Sequence, residues 1–301
     1  MPLCLLEIER SYNTKEENMS EEREQKNAIF GGQTGQTSPI QVVDRVRDEL
    51  GLDIAVETVP LPSLGKVYAQ GSSLHGRETI DIKGMSTREE DILTSRALIK
   101  KGTVITELLK SCLIDKTIDV NDMISGDRNA LMVAIRITGY GPEYKVDMQC
   151  GECEKKTQRE FRLDQLAIKR LEIEPAQPGQ NLFQFKMPRS KLDVLVKFLT
   201  GRDEEEILTL QERMKKVSSL ADSIITTQLK YSIVSLNGKT DKSLIAQAVP
   251  KLSSQDSLAL RKFIEKNQPG IDMTQETTCD ACGHSEEVSI PFGTGFFWPQ
   301  S

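Results

Sequence analysis

Apolar positions along this chain follow two rhythms, alternation at period two and stripes at helical spacing, and their order predicts an α+β fold with a helical core and β-hairpins. Period-two runs come first. Tyr144, Val146 and Met148 alternate with Lys145, Asp147 and Gln149, and Phe161 and Leu163 flank Arg162. Ile271 and Met273, then Val288, Ile290 and Phe292, repeat that plan near the C-terminal end. Glu78 to Lys83 predicts a short strand. Phe183, Phe185 and Met187, followed after Pro188-Arg189-Ser190-Lys191 by Leu192, Val194, Val196 and Phe198, predict a hairpin with a basic turn.

Helical spacing fills much of the remainder. Ser38 and Pro39 precede Val42, Val43, Val46 and Leu50, and Gly51 follows, which predicts a capped amphipathic helix. Ser86 and Thr87 stand three residues before Glu89 and Glu90, the reciprocal capping box that opens a helix, here running to about Lys101 and stopped by Gly102. Ile105, Leu108, Leu109 and Cys112 form the next stripe, which makes Cys112 a small core residue. Asp127 or its neighbour caps a helix from Arg128 to Thr138 that is apolar nearly all round and therefore central. Thr200 to Glu206 places acids in a first turn, with Ile207, Leu210, Met214 and Val217 following. Further helices are expected from about Leu220 to Ser235, ending at Asn237-Gly238, and from near Ser254 to the residues before Pro269-Gly270.

These elements divide the chain into four parts. Residues 1–57 read as an N-terminal arm, partly extended, whose single amphipathic helix either folds back or docks on a partner. Residues 13–27 are almost wholly polar and 31–38 are low-complexity, so neither stretch buries enough apolar surface to order itself. Residues 58–163 form a helical cluster leading into a first cysteine hairpin, and 164–268 an insertion of hairpin plus helices. Residues 269–301 form a second cysteine hairpin and an aromatic tail, Phe296-Phe297-Trp298-Pro299, serving as a buried anchor or as a contact with a neighbouring subunit.

The candidate chemistry lies in those hairpins. Cys150-Gly151-Glu152-Cys153 and Cys279-Asp280-Ala281-Cys282 are both C-x2-C steps, the spacing that lets two thiolates reach one tetrahedral Zn2+ from a tight turn. One ion on Cys150, Cys153, Cys279 and Cys282 makes a split four-cysteine zinc ribbon that ties mid-chain to the end. Such a zinc is structural, because four thiolates leave no open position for water. Disulfide use and unligated thiols stay open. Gly283 suits a turn of positive φ, and His284 reads as a solvated turn residue.

Composition narrows the function classes. With 28% charged and 38% hydrophobic residues in 301, the chain is globular in character. No apolar run is long enough for a membrane span, and the first residues lack the pattern of a secretory signal. Six cysteines, with Cys4 and Cys112 isolated, fit a reducing compartment. A net charge of −6 argues against wholesale nucleic-acid binding. No phosphate-binding glycine loop and no G-x-S-x-G elbow occur, and His75 and His284 are poor candidates for a triad. Glu89-Glu90-Asp91 and Asp203 to Glu206 read as helix starts. Gly126-Asp127-Arg128-Asn129 and Gly201-Arg202-Asp203-Glu204 read as polar turns that form an ion pair or an interface contact. The chain is therefore not expected to be an enzyme.

Several strings resemble one family of tailed-phage proteins. They are "LPSLGKVY" (61–68), "REEDIL" (88–93) with "LIKKGT" (98–103), "GDRNALMVAIRITGYGPEY" (126–144), the split cysteine pairs, "TGRDE" (200–204), "ALRKFIEKNQPGIDM" (259–273) and "FFWP" (296–299). From about residue 58 onward the chain is similar to the baseplate hub and hub-assembly proteins of T-even-type and related contractile-tailed phages. That resemblance implies a structural or assembly role in the virion tail baseplate, assembly in the host cytoplasm, no enzymatic activity, and other tail proteins as partners. It leaves open a symmetric assembly with its own copies, and whether the protein stays in the virion. A rival reading is a zinc-ribbon nucleic-acid-binding or transcription accessory protein, carried by the cluster Lys155, Lys156, Arg159, Arg162, Lys169 and Arg170.

Overall fold

A computed structural model describes residues 41–47, 53–217, 224–292 and 294–297. The first sheet holds β1 (Gln41–Arg47), β2 (Asp53–Pro60) and β3 (Thr79–Lys83) in that order, all antiparallel. β1 overturns the helix expected after Ser38. Val42, Val43 and Val46 are β-branched and stiff at χ1. With β2 offering an antiparallel partner from Arg47↔Asp53 to Gln41↔Thr58, pairing wins over helical spacing. The expected cap and stop at Ser38, Pro39 and Gly51 lie outside the described residues, as do residues 1–37 of the arm. β2 runs across the boundary drawn at residue 57.

The capping box is present at Ser86, and Glu89 does more than cap. Its carboxylate, buried on its side chain, accepts from Ser86 N (2.9 Å), Ser86 Oγ (2.5 Å), Ser111 Oγ (2.6 Å) and Lys83 Nζ (2.7 Å). It thereby ties β3 to α1 (Thr87–Thr94) and α3 (Val104–Cys112). The helix expected to reach Lys101 unbroken is two. Ser95 is extended between α1 and α2 (Arg96–Lys101), next to a Thr94 hydroxyl that bonds back to the Glu90 and Asp91 carbonyls. Cys112 is fully buried on α3, as its stripe requires.

Helix α4 (Ser125–Tyr140) is central, and three of its charges are buried. Asp127 is not a cap. It accepts from Ser63 N (2.9 Å), Ser63 Oγ (2.5 Å) and Tyr68 OH (2.6 Å), fastening the segment before β3 to the helix. Arg128 does not pair with it. Its Nη2 donates to Thr106 Oγ1 (3.1 Å) on α3, and its guanidinium lies where a Cβ on Gly201 would stand. Arg136 donates to the carbonyls of Gly141 (2.9 Å), Glu143 (3.1 Å) and Phe296 (3.1 Å). At the front of the helix, a Cβ on Gly126 would fall 1.8 Å from the Pro269 carbonyl oxygen.

Past α4 come the hairpin β4 (Glu143–Gln149) and β5 (Lys156–Arg162), then the short strand β6 (Ile168–Lys169). β6 pairs with β10 (Gly270–Ile271), so the insertion leaves and returns at one place. Inside it, β7 (Phe183–Lys186) and β8 (Asp193–Val196) form the expected hairpin, followed by α5 (Gly201–Val217). The helix expected from Leu220 to Ser235 is cut short. α6 spans Ile224–Ser232, and Ile233–Leu236 becomes β9, which takes the free edge of β8. Residues 218–223 lie outside the description. α7 (Lys242–Ala248), capped by Asp241, was not legible in the apolar spacing, while α8 (Ser254–Asn267) begins after an Ser253 cap close to the place expected. The last hairpin is β11 (Thr274–Thr278) with β12 (Ser285–Ser289).

Gly126→Ala should cost about 1–3 kcal/mol by forcing α4 off Pro269, read as a lower urea midpoint. Gly71→Ala, with nothing within 4 Å of the new methyl, should shift stability by about 0.5 kcal/mol or less. Equal effects would sink the close-approach account. Burial pushes the Glu89 carboxyl up, but donation from Lys83, Ser111 and Ser86 outweighs it and brings the pKa from 4.5 down to about 2. Because the folded value is depressed, the stability it contributes is complete above pH 4.5 and is lost as pH falls toward 2. Glu89→Gln should flatten the acid limb of a stability–pH profile in that window, and an unchanged limb would remove Glu89 as its source.

Candidate metal centre

Each cysteine pair sits at the tip of a hairpin, and the two tips share one backbone plan. In the first, Cys150 N donates to Lys155 O (3.1 Å) and Glu154 N to Cys150 O (3.1 Å). In the second, Cys279 N donates to His284 O (2.8 Å) and Gly283 N to Cys279 O (2.7 Å). The fifth position of each turn has positive φ, 57° at Glu154 and 74° at Gly283, so the glycine expectation holds at one tip and a strained glutamate serves at the other.

The tips face one another. Cys150 Sγ lies 3.8 Å from Cys282 Sγ, and Cys153 Sγ lies 3.8 Å from Cys279 Sγ, although Cys153 and Cys279 are 126 positions apart. All four sulfurs fall within 4.8 Å of one another. A disulfide needs about 2.05 Å, so these are not disulfides. A tetrahedron of sulfurs about 2.3 Å from a central Zn2+ has edges of about 3.8 Å. The donor set and spacing therefore fit a metal ion with four soft ligands. Cys112 lies apart in the core, and His284 is exposed and outside the cluster.

Electrostatics point the same way. Burial works against a Cys279 thiolate, yet the amides of Ala281 and Cys282 and the Cys282 and Cys150 thiols bring its pKa down to about 6. At Cys282 the His284 amide favours the anion, but desolvation and the three other sulfurs push the pKa up to about 12. Opposite shifts at Cys279 and Cys282 leave a favoured thiolate beside a disfavoured one. A bound dication would favour both as thiolates.

A polar clasp beside the sulfurs was not foreseen. Glu286 on β12 accepts from Gly151 N in the opposite tip (3.3 Å) and from Arg159 Nη2 on β5 (3.4 Å). Gln275 Nε2 reaches Arg162 O at 3.0 Å. No spacing in the sequence marks Glu286, since its role depends on how the hairpins dock. Half of the basic cluster has partners within the protein, while Lys155, Lys156 and Arg170 are exposed. Arg159 is buried and paired with Glu286, Arg162 pairs with Asp164 (2.7 Å), and Lys169 donates to the Glu265 carbonyl. These three cations have partners within the protein, with only Arg159 buried.

The tail supplies a further closure. Phe296 and Phe297 are buried, with Phe296 packed at a tilt against Tyr144 (5.1 Å between ring centroids) and Phe292 (4.9 Å). The anchor is thus observed for these two rings, and Trp298 and Pro299 lie outside the described residues. Among the described residues no helix is long and apolar enough to cross a membrane.

Taken together, the described residues define a mixed helix-and-strand body whose middle and end are drawn to one four-thiol cluster. The chain belongs to the family of T4 bacteriophage base plate proteins, whose description matches residues 56–298. Neither an individual curated protein nor a solved structure matches it. Membership places it among the structural proteins of the virion tail baseplate, with other phage tail proteins as partners.

Cys279→Ser should strip the purified protein of bound metal and aggregate or unfold it, because a structural metal bond is also folding free energy. Cys112→Ala should keep the metal and cost about 1–3 kcal/mol as a small cavity. Metal content by mass spectrometry and thermal unfolding check both, and identical behaviour of the two variants would refute the division into ligand and core cysteines.

Proposed function

We propose that this chain is a non-enzymatic scaffold of the baseplate hub region, stapled by one structural Zn2+ on Cys150, Cys153, Cys279 and Cys282. The observation that carries the staple is the set of sulfurs, within 4.8 Å of one another, drawn from two separate hairpins. The family match supports the baseplate setting. The hub is favoured by the strings at 61–68, 126–144 and 259–273, which resemble hub and hub-assembly proteins. Zinc is favoured over softer or redox-active ions because four thiolates at tetrahedral spacing satisfy it without an open site.

In this reading the protein folds in the reducing host cytoplasm, where its thiols stay free for metal. The residues between the tips then act as a rigid insertion, and the surfaces around it meet neighbouring tail proteins. A nucleic-acid role gains no support from the engaged Arg159, Arg162 and Lys169.

Gradient-purified virions and tail intermediates from infected cells, probed for this chain, test the placement. It should sediment with baseplates or with hub intermediates, and a chain found with neither ends the proposal. Purified protein should hold one zinc per chain, and a strong chelator should lower its melting temperature. A metal-free protein of unchanged melting temperature would remove the staple while leaving the family membership intact.

A further inference from the structure

Helix α2 touches the core through one partly buried side chain, Leu98. None of its six residues is buried. A helix this short is not stable alone and normally rests on an apolar face turned to the core. Ile99 instead stands 47% exposed. One turn on, a Cβ on Gly102 would lie 3.9 Å from Leu208 Cδ1 of α5, and Leu208 is itself 48% exposed. Leu208 thus exposes apolar surface beside the C-terminal end of α2, one turn from Ile99.

The charges around them are one-sided. α2 carries Arg96, Lys100 and Lys101 and no acid. None of the three enters an ion pair among the described residues. The helix dipole accounts for cations in the last turn, Lys100 and Lys101, but disfavours Arg96 in the first. An unpaired cationic block stands out on a chain of net charge −6. Its residues overlap the string at 98–103, of which Leu98 packs on the core while Ile99, Lys100 and Lys101 face outward.

We propose that α2 and Leu208 form the docking site for an acidic amphipathic helix of another tail protein. Its Leu or Ile side chains cover Ile99 and Leu208, and its carboxylates meet Arg96, Lys100 and Lys101. The partner is a helix because α2 offers no open strand edge, so recognition rests on side chains at helical spacing. A second copy of this chain is disfavoured, since pairing α2 with itself sets three cations against three. Two exposed apolar anchors do not suit a phosphate backbone. The inference rests on the baseplate scaffold reading and adds a partner chemistry to it.

The test is site-specific photo-crosslinking in infected cells. A photoreactive amino acid is placed at position 99 and, as control, at position 244, where exposed Leu244 sits on α7. Mass spectrometry then identifies the joined peptide. Position 99 should join a net-acidic segment with Leu or Ile every three or four residues, and position 244 should not. K100E/K101E should lower the yield about tenfold without moving the unfolding midpoint, because neither lysine is buried. Joining to a basic segment, to nucleic acid or to a second copy would overturn the proposal, as would equal joining from both positions. If position 99 joins nothing while the chain still sediments with tail particles, the docking site is wrong and the scaffold reading stands. If the chain sediments with no tail particle, the scaffold reading fails and takes this inference with it.

Discussion

Helix α4 must keep Asp127, Arg128 and Arg136 inside the protein, and the partners it finds for them arrange the rest of the chain. A buried polar group without partners costs more than most single contacts contribute. Asp127 is met by Ser63 and Tyr68, Arg128 by Thr106 at Nη2 alone, and Arg136 by the nearby carbonyls of Gly141 and Glu143 and the distant one of Phe296. The helix is thus a hub of polar pins as well as an apolar core element. The close approaches at Gly126 and Gly201 follow from it, because Pro269 and the Arg128 guanidinium come within the space a side chain would need.

The same pins explain why the two cysteine hairpins meet. Arg136 holds the start of β4 and the C-terminal aromatic turn, while Gly126 seats Pro269 just before β10. The β6–β10 pair then closes the insertion, and Glu286 clasps the first tip from the second. These contacts and the four sulfurs converge on one junction, which a cation at their centre would also hold. The apparently chemistry-free strings at 61–68, 126–144, 200–204 and 259–273 become intelligible as the packing surfaces around α4.

The cluster itself was legible in the chain because C-x2-C fixes two sulfurs by local geometry alone. The strands on either side were legible too, since Tyr144, Val146 and Met148 alternate with polar neighbours and remain half buried or buried in the fold. Glu286 was not, because an acid between Ser285 and Glu287 on a polar strand carries no local sign of the hairpin opposite. Arg159 misled for the same reason. Read along the chain it belongs to a basic cluster, and only docking shows it buried against Glu286.

Sequence by itself determined the elements whose cause is local. These include the capping box at Ser86, the buried stripe through Cys112, the β7–β8 hairpin, and the pairing of each cysteine with its near neighbour. Tertiary structure decided what depends on a partner far along the chain. Val42 to Val46 became a strand because β2 was available, and Ile233 to Leu236 left a helix because β8 had a free edge. Spacing records which face a segment would bury, but the free energy that chooses between helix and strand comes from the surface it meets.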